Sequence, residues 1–408
     1  MKTILFLLAL WLLAAVGPAA AQIDTTRARY YQPVFANVDV TSNVAYGSAP
    51  TYTGSTQSLV MDIYQPAGDT VKRRPLIIFA HQGGFFLGSK TDAYMVAVCT
   101  RLARLGYVTA SMEYRLGFAV TGLAQPADTT GLAQAAIRGM QDMKAAVRFF
   151  RQDAATAKTY RVHASYIAVG GSSAGAFMAL ETGYLDKASE VPAYVGLAAL
   201  GGVDGQSGNP GYSAAVLAVL NLSGALESPS YIEAGNAPLC SVHGTADRTV
   251  PFFQGKIGSI IPPKYVYGSG RLHPRAAALG IPNTLRTLKG ADHVPFEKNA
   301  AYADTAFWTM RDFLRPLLRQ TGTVLAARAT AVGPQAQAYP NPATDAVQLN
   351  IPAAWRQLGE AQLLDMTGRV VRRLDPRTAD LRLTRGALTA GVYSLRFPGQ
   401  APLRIVFE

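Results

Sequence analysis

Between Val71 and Arg319, short apolar runs rich in β-branched residues alternate with longer stretches whose apolar positions recur at helical spacing. Residues 76–80 and 166–169 read as buried strands, and 107–112, 239–243 and 284–288 as further strands. Residues 93–105, about 132–152, a stretch opening at Ala174 and residues 300–318 read as helices, with a further apolar stretch at 193–200. This alternation predicts an α/β fold, a mostly parallel sheet with helices on both faces. Residues 59–64 alternate apolar and polar positions, as an antiparallel edge strand should.

Two stretches interrupt the pattern. Residues 201–237 are rich in Gly, Ser, Asn and Pro around one apolar segment, 214–222, and read as a cap or lid insertion. Residues 114–131 form a second loop-rich insertion ahead of the long helix. After Arg319 the chain turns to Gln, Thr, Ala and Gly with Pro334, a linker over 320–337. From 338 to 408 short alternating runs at 347–351, 361–365, 370–374 and 392–397 are separated by turns such as Thr367-Gly368 and Ala390-Gly391. They predict a small β-sandwich.

The first residues are Met-Lys, an apolar run from Thr3 to Val16, then small residues ending Ala19-Ala20-Ala21. That order reads as a secretory signal peptide over 1–21, leaving a catalytic domain over 22–319. The run is shorter than the ~20 residues that cross a bilayer, so no stable membrane span is expected. Cys99 lies in a helical pattern and Cys240 in a strand pattern, so both are expected as buried hydrophobes and not as a bridge. Lys and Arg number 38 against 26 Asp and Glu, a formal charge of +12. The basic residues are scattered, with Lys72-Arg73-Arg74 and Arg372-Arg373 as local clusters. An aromatic-interleaved basic stripe is missing, which argues against nucleic acid as a partner.

The chemistry concentrates at strand ends. Gly171-Ser172-Ser173-Ala174-Gly175 follows a strand and opens a helix, where glycines on either side permit the sharp turn that presents a nucleophilic serine. Ser173 is the candidate; a window centred on Ser172 ends in Ala174 where glycine is wanted. A serine needs a base oriented by a carboxylate. Of the five histidines, His293 in Gly290-Ala291-Asp292-His293 follows the last predicted strand, whereas His81 and His163 precede the serine and His273 lies in a loop flanked by Gly and Pro. Asp247 sits just past the strand ending at His243 and fills the carboxylate role; Asp292 is the rival. Small residues in His81-Gln82-Gly83-Gly84 let backbone N–H groups approach a developing oxyanion, so Gly83 and Gly84, with Ala174, are expected to form the oxyanion hole. His81 is expected to brace that loop. The sequence shows no metal-ligand spacing, and a triad of this kind needs no cofactor.

These motifs, in the order Ser173, Asp247, His293, resemble the α/β-hydrolase superfamily over 59–319, and within it the carboxylesterases and lipases whose oxyanion loop reads His-Gly-Gly-Gly. Gln82 departs from that loop. Glu113-Tyr114-Arg115-Leu116 is similar to the family's segment supporting the catalytic framework, and His243-Gly244-Thr245-Ala246-Asp247 is similar to feruloyl and acetyl-xylan esterases. The resemblance implies a serine hydrolase acting on carboxylic esters, small or polymer-linked, through an acyl-enzyme. A serine peptidase of the same fold and a silent binding protein are the alternatives. Tyr339-Pro340-Asn341-Pro342-Ala343-Thr344-Asp345 through Gly391-Val392-Tyr393 resembles the C-terminal sorting domain of type IX secretion. That likeness implies the type IX machinery as a partner and export through the periplasm to the cell surface or medium.

Overall fold

A computed structural model describes residues 23, 25, 28–118, 129–257, 264–319, 336–353, 355–366, 369–378, 381–398 and 403–408. The signal peptide expected at 1–21, residues 119–128 of the second expected insertion, residues 320–335 of the expected linker and the expected turn at Thr367-Gly368 lie outside them. The chain divides into two compact units, Met1–Thr330 and Ala331–Glu408.

The first unit is built on an eight-stranded sheet: β1 (Val38–Pro50), β2 (Thr56–Pro66), β3 (Arg74–Ala80), β4 (Val108–Met112), β5 (Val162–Ser172), β6 (Val219–Leu222), β7 (Leu239–Gly244) and β8 (Asn283–Leu288). Their spatial order is β1-β2-β4-β3-β5-β6-β7-β8. The pairs β1·β2 and β2·β4 are antiparallel, and every later pair is parallel. Among the described residues five helices accompany it: α1 (Ala93–Arg104), α2 (Thr129–Ala155), α3 (Ala174–Tyr184), α4 (Ser269–Ala278) and α5 (Ala300–Leu317).

The pleat of β3 shows how the core divides. Leu76, Ile78 and Ala80 face one side, packing with Met140, Met143 and Val147 of α2 and Met178 of α3. Ile77 and Phe79 face the other, with Cys99 and Leu102 of α1 and Met310 and Phe313 of α5. A strand covered on both faces is apolar along its covered length, here Pro75–Ala80, and all seven residues of β3 are buried, Arg74 included. This is the α/β-hydrolase architecture.

Three sequence expectations are corrected. The lid reading of 201–237 fails for its apolar segment, because Val219–Leu222 is a fully buried central strand held between β5 and β7. The alternating segment at 59–64 is not the sheet edge; β1 pairs along its outer side. His273 lies in α4, not in a loop: Pro274 forfeits one backbone donor, but burial of Leu272 and Ala276 holds the helix. The stretch 193–200 forms two short 3₁₀ turns.

The second unit packs a three-stranded antiparallel sheet (Gln337–Tyr339, Ala346–Asn350, Arg382–Thr384) with a four-stranded one (Ala361–Leu364, Val370–Leu374, Gly391–Arg396, Leu403–Phe407). Its own core contains Val347, Leu349, Trp355, Leu363, Leu395 and Phe407. It is a β-sandwich, and its first strand begins at Gln337, inside the stretch read as linker.

Candidate active site

In a parallel sheet the strands' carboxyl ends share one edge, where ligands of open α/β folds bind. The segments after β3, β5, β7 and β8 carry His81, Ser173, Asp247 and His293. Ser173 opens α3 with φ of 51° and ψ of −116°, a conformation that L-residues rarely adopt and that aims its hydroxyl out of the turn. The flanking glycines are needed because the turn is closed on itself. A Cβ on Gly171 would lie 2.3 Å from the Gly175 carbonyl carbon, and one on Gly175 would lie 2.1 Å from the Ala80 oxygen.

His293 Nε2 stands 2.8 Å from Ser173 Oγ, and its Nδ1 stands 2.8 Å from Asp247 Oδ2. Asp247 Oδ1 accepts from the N–H groups of Thr249 and Val250 at 2.9 and 2.8 Å. Burial pushes the Asp247 carboxyl up, but the hydrogen bonds from His243 and His293 outweigh it and hold the group down at about 2. Asp292, the rival carboxylate, is turned outward and paired with the exposed Arg248, besides accepting from the His293 N–H at 2.8 Å. Ser172, the rival serine, is buried, and its hydroxyl donates to Glu297.

A cavity opens at Ser173, lined there by Gly84, Phe85 and Ala174. As the first residue of α3, Ala174 has an N–H without an intrahelical acceptor. Gly84 has φ of 62°. Gly83 is placed differently from Gly84: it does not line the cavity, and its carbonyl accepts from Phe86 and Leu87 in a tight turn. His81 is buried beneath this loop, with Nε2 3.4 Å from Glu113 Oε2 and its ring stacked on Tyr114 at 4.4 Å. Tyr114 donates to the His81 carbonyl at 3.1 Å. Arg115 pairs with the buried Asp142 of α2 at 2.8 Å. The segment 113–115 thereby anchors the loop after β3 and α2 together.

Three groups at the site escaped the sequence reading. His243, fully buried, places Nε2 3.3 Å from Asp247 Oδ2, with its Nδ1 2.9 Å from Ser269 Oγ. The signal was the spacing of four between His243 and Asp247. Glu297 reaches Ser172 from beyond β8, and Glu181 enters the cavity from the third turn of α3; neither carries a motif. Cys99 and Cys240 are both buried and free. Among the described residues there is no acid, His and Cys cluster that would hold a metal, and no helix long and apolar enough to cross a membrane.

Residues 61–227 match the BD-FAE family, and residues 337–402 match the secretion system C-terminal sorting domain. No curated protein matches the chain. Among solved structures, the apo form of Thermogutta terrifontis esterase 2 is similar at 21% identity, covering 70% of this chain and 97% of that one with a TM-score of 0.48. The propionate-bound form of Est2 from the same organism is similar at 22% identity, covering 70% and 96% with a TM-score of 0.47. The chain thus combines an esterase-type α/β-hydrolase domain with a type IX sorting domain, which marks it for the cell surface or medium.

Proposed function

We propose that this chain is a secreted serine hydrolase that cleaves carboxylic esters through Ser173, His293 and Asp247. The observation that carries the reading is the continuous hydrogen-bonded line from Ser173 Oγ through His293 to Asp247 at the carboxyl edge of the sheet. Ser173 Oγ attacks the ester carbonyl while His293 Nε2 takes its proton. Asp247 accepts from Nδ1–H, fixes the tautomer and stabilises the imidazolium. The oxyanion is met by the N–H groups of Ala174 and Gly84, assisted by the positive end of α3. As the intermediate collapses, His293 returns the proton to the departing alcohol. Water then enters by the same steps and releases the acid. Passage to the periplasm by a signal peptide over 1–21, followed by type IX export, belongs to the same proposal.

The test is hydrolysis of p-nitrophenyl acetate, butyrate and palmitate and of methyl ferulate by the protein and by Ser173→Ala. Activity on at least one ester, lowered by about 10⁴-fold or more in the variant, is expected. Activity untouched by the substitution would remove Ser173 from the mechanism.

A further inference from the structure

The cavity that opens at Ser173 follows one face of α3. Ser173, Ala174, Phe177 and Glu181 all line it, and positions spaced by four share a helix face. Eight residues of helix carry Glu181 about 12 Å along the axis from Ser173. Phe177 lies between them along the helix, and Leu132, Ala136 and Ile137 of α2 add to the apolar lining.

Glu181 breaks that pattern. Its Oε2 is buried without a hydrogen-bond partner, which costs stability and has no structural return. The neighbouring cation does not answer it: Lys264 is paired with Glu227 at 2.9 Å and donates to Tyr194 at 2.7 Å. Burial pushes the Glu181 carboxyl up to about 8, with Glu227 adding to the rise and Lys264 and Lys144 opposing it. That rise favours the neutral form of the group, and a neutral carboxyl both donates and accepts hydrogen bonds. It suits an uncharged hydroxyl better than a cation.

Which part of an ester enters follows from the direction of proton transfer. The departing alcohol takes its proton from His293, so it lies on the His293 side. His293 does not line the cavity, which leaves the cavity to the acyl group.

We infer that Glu181 is a specificity-determining residue that selects acyl groups ending in a hydroxyl over plain alkyl acyl groups of the same length. The inference rests on the ester-hydrolase reading of Ser173. Because helix side chains lean toward the N-terminus, an acyl chain of about six carbons spans from Ser173 to the carboxyl.

The experiment compares kcat/KM for p-nitrophenyl ω-hydroxyhexanoate and p-nitrophenyl hexanoate in the wild type, Glu181→Leu and Glu181→Gln. The wild type is expected to prefer the hydroxylated ester by about tenfold or more. Glu181→Gln should keep most of that preference, and Glu181→Leu should erase or invert it, a pattern that a merely structural role would not produce. A wild-type ratio near one, or a preference that survives Glu181→Leu, overturns the inference while acetate hydrolysis lost in Ser173→Ala leaves the esterase reading standing. If no ester is cleaved, calorimetric binding of ω-hydroxyhexanoate and hexanoate decides the matter. Preference for the hydroxy acid, lost in Glu181→Leu, would uphold the pocket without the esterase; equal binding would end both.

Discussion

Asp247 lies between two imidazoles, and only one of them was legible from the sequence. His293 follows from the order of motifs, but His243 reaches the same carboxylate because the loop after β7 turns back on the strand's last residues. That return is a tertiary event. Together the two imidazoles hold the carboxyl at about 2 in place of 3.8, against the opposing push of burial. A lowered folded value means that the stabilisation is present above about pH 4 and disappears as pH falls through about 2. The shift corresponds to about 2 kcal/mol. The unfolding free-energy gap between wild type and Asp247→Asn, measured by denaturant titration, should therefore be widest above about pH 4 and narrow toward about pH 2. A gap that stays constant across this range would contradict the assignment. Ser173 over Ser172 was readable for a simpler reason: the two glycines that the turn demands surround only Ser173 symmetrically.

At the scale of elements, the strands and helices with a clear period were legible and β6 was not. Val219–Leu222 has four residues, all buried, and a strand covered on both faces has no alternation to recognise. Its Gly, Ser and Asn surroundings resemble an insertion. Only the pairing with β5 and β7 identifies it as an interior strand of the sheet, and that pairing also holds the nucleophile, since Ser173 N–H donates to the Leu222 carbonyl at 2.9 Å. A lid would tolerate truncation, whereas a central strand would not. Leu220→Ala is expected to destabilise the first unit by about 2–5 kcal/mol, read from the denaturation midpoint at unchanged slope. A loss below about 1 kcal/mol would return the segment to the surface.

Across the whole molecule, each unit owns a separate hydrophobic core, so each is expected to fold without the other. A chain ending at residue 330 should retain the specific activity of the full protein on p-nitrophenyl acetate while failing to reach the cell surface in a type IX host. Fractionation and assay of both forms check this; loss of activity on truncation would show that the sandwich completes the enzyme. What the sequence determined by itself was whatever local chemistry enforces: the strand–helix alternation, the glycine-flanked nucleophile, the order of serine, acid and base, and the change of period that marks the second unit. The tertiary structure alone decided which groups meet across long separations. His243 joins Asp247, Glu297 takes the Ser172 hydroxyl, β6 links β5 to β7, and Glu181 comes to stand unpaired along the cavity from Ser173. Such meetings follow from strand order and helix docking, which reward the burial of whole faces and leave no periodic trace at the individual residues they bring together.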